Sequence, residues 1–307
     1  MYAPIIVFAY NRPDHLKRTL TALTKNKEAK ESDLFIFVDG PKSDTEKDKT
    51  KAVYAVAKQY ERGFFKKVVI RKSNKNKGLA KSVIAGVDEI INQYGKVIVT
   101  EDDAVCSPAY LAFMNGALDY YEDKVQIWSV GGYTVPIKIP KEYLSDVLAT
   151  QRSSSYAWAI WKNRWEKIDW NVEDYPLFRW NFFARRNFNK WGSDRSSMLD
   201  DQMNGRVNSW AIRFDYAMYK NDMYNILPKQ SLIENIGHDG SGTHSTVDTS
   251  NNDPFAVEIS ENCREYRFEN VNTVDYIRNE YIQFFKTSKR YLIKRYIENL
   301  IYKKGKK

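Results

Sequence analysis

Three adjacent carboxylates, Glu101-Asp102-Asp103, follow directly on four β-favouring residues, VIVT at 97–100. Like charges this close repel one another, and a divalent cation relieves that cost. Hard oxygen ligands suit Mg²⁺ or Mn²⁺, which are held by one or two carboxylates together with substrate phosphates. A strand end would fix such ligands on a rigid element; a solvated acidic loop is the other reading. A second acidic pair, Asp200-Asp201, precedes a helix-like stretch at 202–219 and reads either as a general base or as a helix cap. A third concentration is the loop GHDGSGTHS at 237–245. Its glycines and polar residues suit a mobile segment that offers backbone N–H groups to phosphate. Within it His238 is a candidate contact to diphosphate or metal, or an exposed loop histidine, and His244 is its flanking partner.

The elements that must position these residues alternate over the first hundred positions. Short apolar runs at 4–10, 34–38, 67–71 and 97–100 read as buried strands. Between them lie helical patterns: Leu16, Leu20 and Leu23 behind Pro13; Ala52, Val53, Val56 and Tyr60; and Leu79, Val83, Val87, Ile90 and Ile91. Alternation of this kind predicts an α/β fold, a mainly parallel sheet with helices on both faces. Ligands of such sheets collect at the carboxyl ends of the strands, which selects the loops at 9–12, 39–43, 73–78 and 101–103. Beyond residue 103 a helix at 108–121, a strand at 127–130 and one long helix at 276–302 are expected.

Composition narrows the class. The 307 residues carry 48 Lys+Arg against 39 Asp+Glu, a net of +9. Nine of the basic residues and one acid lie in 286–307, so this end alone is +8, and the remaining 285 residues hold 39 basic against 38 acidic. A nearly neutral body argues against nucleic acid as a partner. Two cysteines, Cys106 and Cys263, form no disulfide framework and no four-ligand zinc site, which fits a reducing compartment. The N-terminus lacks the pattern of a signal peptide, and no run approaches the ~20 apolar residues of a membrane span.

The ordered set FAYNRPDHL, VDGP, NKNKGLAKSV and VTEDDAV, followed by SYAWAIWKNRW, MLDDQM and a His/Gly loop, resembles an inverting GT-A glycosyltransferase. It is similar to the N-acetylglucosaminyltransferase I family and to bacterial family-2-like sugar transferases, over roughly residues 3–245. The resemblance implies a GT-A, Rossmann-like sheet with an acceptor-side elaboration and a C-terminal helical tail. It implies a nucleotide-sugar-binding half at 1–105, an acceptor-binding and catalytic half at 106–250, and a helical extension at 251–307. The implied donor grip comprises Arg12 and Asp39 on the nucleotide, Asn76 and Gly78 near sugar and diphosphate, Asp102 toward ribose or metal waters, Glu101 toward the sugar, and Asp103 on Mn²⁺ or Mg²⁺. Asn76 stands where N-acetylglucosaminyltransferase I has a histidine, which leaves the donor sugar open.

In that family the first Asp of a Trp-Asp-Asp-Trp motif is the base. Leu199 and Gln202 replace both tryptophans here, and Asp200 is favoured over Asp201. Such a base would deprotonate the acceptor hydroxyl in a single inverting displacement. Trp158, Trp161 and Trp165 are spaced as one helical face, so most of them belong to a core. Tyr156 and Trp158, at the front of the segment, are the pair expected to line an acceptor groove.

The basic end interleaves Lys and Arg with Tyr281, Phe284, Phe285, Leu292, Ile293, Tyr296, Ile297, Leu300 and Ile301. That pattern suits a helix lying on an anionic membrane, or a docked helix with a frayed end. The expected partners are therefore a nucleotide-sugar donor, a glycan or lipid-linked glycan acceptor, and a membrane surface reached by the tail. The expected location is cytoplasmic and peripheral on the inner face of the membrane, in surface polysaccharide or lipopolysaccharide synthesis. A sugar nucleotidyltransferase is disfavoured because Ala9-Tyr10-Asn11-Arg12-Pro13 is not a Gly-rich loop. A non-catalytic binding module is disfavoured by the intact carboxylates.

Overall fold

A computed structural model describes residues 1–242, 253–259, 265–270 and 272–302. His244, Cys263 and the four terminal lysines lie outside the described residues. The first half is a βα alternation: β1 (Ile5–Ala9), α1 (Pro13–Thr24), β2 (Asp33–Val38), α2 (Lys47–Lys58), β3 (Lys67–Lys72), α3 (Leu79–Tyr94) and β4 (Lys96–Glu101). These four strands lie in the order β3-β2-β1-β4 and are parallel throughout, with Val7 opposite both Ile36 and Thr100.

Each residue of β1 is buried, and alternate side chains feed different cores. Ile5, Val7 and Ala9 pack with Leu16, Leu20 and Leu23 of α1 on one face. Ile6 and Phe8 pack with Val83, Val87, Ile90 and Ile91 of α3 on the other. The period-2 alternation of a strand thus splits one apolar run between two helix layers, as a doubly covered sheet requires.

The second half continues the sheet with mixed direction. It comprises β5 (Ala104–Cys106), α4 (Tyr110–Tyr121), β6 (Ile127–Gly131), β7 (Val147–Thr150), β8 (Ala157–Trp161), α5 (Lys162–Trp165), α6 (Tyr175–Phe178), α7 (Phe182–Phe188), α8 (Arg195–Met203), α9 (Trp210–Lys220), β9 (Tyr224–Pro228) and β10 (Ile233–Asn235). Strand β8 is antiparallel to β4 and β6, and β9 runs parallel to β6 and antiparallel to β7, giving eight strands in the order β3-β2-β1-β4-β8-β6-β9-β7. A separate antiparallel pair, β5 with β10, sits just beyond the acidic motif. The chain closes with α10 (Asp275–Phe284) and α11 (Lys289–Tyr302).

Three expectations need correction. Trp158 and Trp161 lie on a strand, and its alternation sends them to opposite faces. Trp158 packs against Trp165, Trp210 and Phe214, with ring centroids 5.9, 5.0 and 5.0 Å away, and is 1% exposed. Trp161 joins the other core and donates from Nε1 to the Leu118 carbonyl. Trp158 is therefore a core residue and does not line an acceptor groove.

The helix expected over 276–302 is two helices. The break falls at residues 285–288, where Ser288 Oγ accepts from the Tyr291 N–H and Thr287 N–H donates to Ser193 Oγ. Hydroxyl side chains that satisfy backbone groups locally favour helix starts over helix interiors. Tyr281 is buried and Phe284 and Phe285 pack on the core, so α10 is a docked helix and only α11 keeps an exposed apolar face.

Asp200 and Asp201, third, lie in the last turn of α8, so they do not cap the following helix. That helix, α9, is capped by Ser209, whose Oγ accepts from the Ile212 N–H.

Candidate active site

The loops after β1, β2, β3 and β4 open onto one cavity of about 1080 Å³ at the carboxyl edge of the parallel strands. The second-half elements close its far side through Tyr156, Met198, Asp201 and the residues at 207–212. Of the residues singled out from sequence, Arg12, Asp39, Asn76, Gly78, Glu101, Asp102, Asp103, Tyr156, Asp201 and His238 line it. Asp200 and Trp158 do not.

The acidic motif is organised around a guanidinium. Arg12 Nη2 donates to Asp103 Oδ2 at 2.8 Å and also pairs with Asp102 Oδ1. The other oxygen of Asp102 accepts from the Tyr10 N–H at 3.3 Å, and its carbonyl accepts from Thr19 Oγ1. Both oxygens of Asp102 are thus used inside the protein, and this residue is 2% exposed. One arginine faces three carboxylates, so negative charge is in excess. Burial, then repulsion from Asp103 and Asp102, pushes the Glu101 carboxyl up to about 8. Burial raises Asp102 to about 6 against the pull of Arg12.

Strand β10 brings a second segment onto the motif. The Ile236 N–H donates to the Asp103 carbonyl at 2.9 Å, and a Cβ at Gly237 would collide with Asp103 Oδ2. Only glycine lets this backbone pass so near the carboxylate. His15 Nε2 sits 3.1 Å from the Ile236 carbonyl and 3.2 Å from Asp239 Oδ2, so it ties α1 to the same loop. His238 Nδ1 lies 2.6 Å from Asp253 Oδ2, and its Nε2 lies 3.2 Å from the Tyr156 hydroxyl.

On the opposite side, Asp39 accepts from the backbone N–H groups of Gly40, Lys77 and Gly78 at 2.9–3.1 Å. Asn76 Nδ2 donates to the Gly40 carbonyl at 2.8 Å. These bonds lock the loop after β2 to the loop before α3. Gly78 then enters the sixteen-residue α3 with φ +77°, a conformation that L side chains rarely adopt. The α3 N-terminus carries no acid in its first turn and opens on the cavity at Leu79 and Ser82. Unpaired helix N–H groups and the helix dipole favour an anion there. Lys42, Arg71, Lys72 and Lys77 add positive charge to the same rim.

The two aspartates of α8 have different surroundings. Asp200 is buried in a fork from Arg185, with both N–O distances 2.8 Å, and accepts from the Tyr175 hydroxyl at 3.0 Å. It fastens α8 to α6 and α7 and faces away from the cavity. Asp201 lines the cavity, where Arg206 Nη1 donates to its Oδ1 at 2.9 Å and Arg295 of α11 pairs with its Oδ2. Of the two candidate bases, Asp201 and not Asp200 is the one that faces the cavity. A helix turns 100° per residue, and here that step sends Asp200 toward α6 and α7 and leaves Asp201 at the cleft.

Among the described residues no group of three or more His, Cys, Asp or Glu side chains could hold a metal ion alone. The fit to Mn²⁺ or Mg²⁺ is of another kind. Asp103 has one oxygen toward Arg12 and is the carboxylate of the motif best placed to offer the other, in a cleft whose rim favours phosphate. Such a donor set suits an ion whose remaining ligands are diphosphate oxygens and water.

A mainly parallel sheet with a nucleotide-sized cleft at its carboxyl edge and an acidic triplet ending its central strand defines a GT-A type of architecture. The sequence matches the family Glycosyl transferase family 2 over residues 5–190, more than half of the chain, and the chain belongs to that family of glycosyltransferases. Comparison with curated protein sequences gave no significant match. Among solved structures the chain is similar to residues 1–349 of S. aureus TarS, with 10% identity and a TM-score of 0.45. That match covers 78% of this chain and 61% of the TarS fragment, so the chain spans about three-fifths of that relative's length. It is also similar to the galactosyltransferase LgtC in complex with donor and acceptor sugar analogues, with 13% identity, a TM-score of 0.36 and 70% of each chain covered.

Proposed function

We propose that this protein transfers a sugar from a nucleotide-sugar, with a UDP-sugar as the leading donor, to a hydroxyl of a glycan or lipid-linked glycan, inverting the anomeric centre. The observation that carries this is one cavity lined both by Glu101, Asp102 and Asp103, at and just after the end of β4, and by Asp201 of α8. In this division of labour residues 1–105 hold the donor and 106–250 supply the acceptor side. The loops locked by Asp39 and Asn76 present the basic rim and the α3 N-terminus to a diphosphate. Asp103 holds Mn²⁺ or Mg²⁺ when it is bound, and the ion supplies Lewis-acid stabilisation of the leaving diphosphate. Arg12 and the buried Asp102 keep Asp103 in place, and Tyr156 with His238 closes the acceptor side.

Asp201 is the base that takes the acceptor proton as the hydroxyl oxygen attacks the anomeric carbon from the face opposite the diphosphate. Both of its oxygens are held by guanidiniums, so Arg295 has to leave Oδ2 before that oxygen accepts a proton. Helix α11, which carries Arg295, places the enzyme at an anionic membrane surface on the cytoplasmic side, in the synthesis of a bacterial surface polysaccharide or lipopolysaccharide. Proton NMR of the first product formed from an α-linked donor tests the chemistry. A β-linked product supports direct displacement by the acceptor, and an α-linked product contradicts it.

A further inference from the structure

The segment between α5 and α8 contains an unusual stretch. Residues 175–193 include Arg179, Arg185, Arg186 and Lys190 and no acid. Four large apolar side chains on it point outward: Leu177, Trp180, Phe182 and Phe183 are 79%, 53%, 68% and 74% exposed. Their neighbours Phe178 and Phe188 are buried with Tyr216 in a small core, so the backbone of this segment is anchored while its outer face stays bare. Scattered exposed hydrophobics need no explanation, but a cluster rimmed by polar residues marks an interaction site.

Two further observations say what covers this cluster. Arg186 and Lys190 are exposed beside the knob and the buried Arg179 lies 5.0 Å over the Trp180 ring, so the charge next to the aromatic cluster is cationic, with the nearest acids, Glu173 and Asp174, before the start of α6. It is also joined to the start of α11. Thr287 N–H donates to Ser193 Oγ at 2.8 Å, while Arg185 and Arg295 hold the adjacent residues Asp200 and Asp201. Helix α11 brings its own bare apolar set, Tyr291, Ile293, Tyr296 and Ile297, interleaved with exposed Lys289, Arg290 and Lys294. Two acid-poor, aromatic and cationic surfaces therefore flank α8 beside the mouth of the cleft.

We propose that the α6–α7 knob is a second membrane-docking element, with Trp180, Phe182 and Phe183 entering the headgroup and acyl boundary of an anionic bilayer while Arg186 and Lys190 meet lipid phosphate. Amphipathic aromatic rings settle at that boundary, and cations beside them are drawn to anionic lipid. Docking through both elements sets the cleft against the membrane plane, so an acceptor reaches Asp201 from the bilayer side. This builds on the reading of α11 as a membrane contact, and its test separates the two.

The experiment is flotation of the full-length protein with vesicles of phosphatidylcholine, alone or mixed with phosphatidylglycerol. Wild type is compared with the triple variant Trp180→Ser, Phe182→Ser, Phe183→Ser and with Lys289→Gln, Arg290→Gln, Lys294→Gln. All six side chains are substantially exposed, and unchanged circular dichroism and melting confirm that the variants fold. Wild type floats with the mixed vesicles, and the aromatic variant binds them at least about tenfold more weakly. Aromatic-variant flotation equal to wild type overturns the knob whatever the lysine and arginine variant does. Loss in the aromatic variant alone supports the knob and removes α11 from the account. A wild type that forms dimers without binding vesicles, with dimers lost in the aromatic variant, overturns the membrane reading and makes the knob a contact between copies.

Discussion

Replacing Asp200 and Asp201 one at a time by asparagine separates a structural carboxylate from a reacting one. Asp200 is buried and receives a two-pronged bond from Arg185 and a third from Tyr175. Its replacement leaves the Arg185 guanidinium without its counter-charge, in a pair whose carboxylate side chain is 4% exposed and whose arginine is 20% exposed. Breaking a buried pair costs 3–5 kcal/mol, and the partial exposure of Arg185 puts this one at about 3 kcal/mol. The melting temperature then falls by on the order of 5 °C or more. Asp201 is bound by two arginines that are each about a fifth exposed. Each makes one contact to it where Arg185 grips Asp200 with two, so compared with Asp200→Asn, the variant Asp201→Asn melts no lower. Its turnover falls by about 10²–10⁴, a barrier increase of about 2.7–5.5 kcal/mol, because the acceptor proton has lost its base. The assay is release of nucleoside diphosphate from the donor that wild type turns over, run beside a thermal melt. The reverse pattern, with Asp200→Asn inactive at unchanged stability and Asp201→Asn active, would make Asp200 the reacting carboxylate.

Four other outcomes are expected. Arg295→Gln frees Asp201 Oδ2, so turnover in the absence of membrane rises at a stability cost of about 1 kcal/mol or less; reduced turnover would count against α11 restraining the base. The carboxyl groups of Glu101 and Asp102 titrate above their ordinary values. Their contribution to stability is complete below the unfolded values near 4 and is lost as pH rises through about 6 and about 8. In chelator the melting temperature therefore drops across that window, and Glu101→Gln flattens the drop; an unchanged slope in the variant would contradict it. Trp158→Ala costs about 3–5 kcal/mol through the cavity it opens, whereas Tyr156→Phe leaves stability nearly unchanged and weakens acceptor use, as melts and acceptor titrations would measure. Gly237→Ala forces backbone away from Asp103, and metal-supported nucleotide binding weakens at least about tenfold, a change of ~1.4 kcal/mol; wild-type affinity would show that the close approach is unimportant.

The first half was readable because its signals are local. Unbroken apolar runs, Pro13 at a helix start and Gly78 before α3 each determine structure within a few residues, and β4 delivers Glu101–Asp103 to a strand end without help from the rest of the chain. The second half depends on contacts that spacing does not encode. Trp158 and Trp161 suit a helical face as well as a strand, and their separation onto two cores follows from β8 inserting between β4 and β6. The choice between Asp200 and Asp201 turns on Arg185 and Arg295, which lie 15 and 94 residues away. Nothing near the pair in sequence reveals which one meets an arginine in the interior. Gly237 was legible only as one glycine of the loop at 237–245 and Arg295 only as one cation of the basic end, since each matters through a long-range approach to a carboxylate. That Leu177, Trp180, Phe182 and Phe183 stay outside the core is not encoded by spacing, because exposure is a property of the packed fold.

The proposed mechanism rests on the cleft binding a nucleoside diphosphate through a metal held at Asp103. Calorimetric titration of UDP, GDP and dTDP into the protein, with Mn²⁺ and with chelator, tests it most directly, with Asp103→Asn as the comparison. One nucleotide, UDP first, is expected to bind in Mn²⁺, and chelator or Asp103→Asn is expected to abolish the binding. Equal affinity with and without metal, or in wild type and Asp103→Asn, would contradict it.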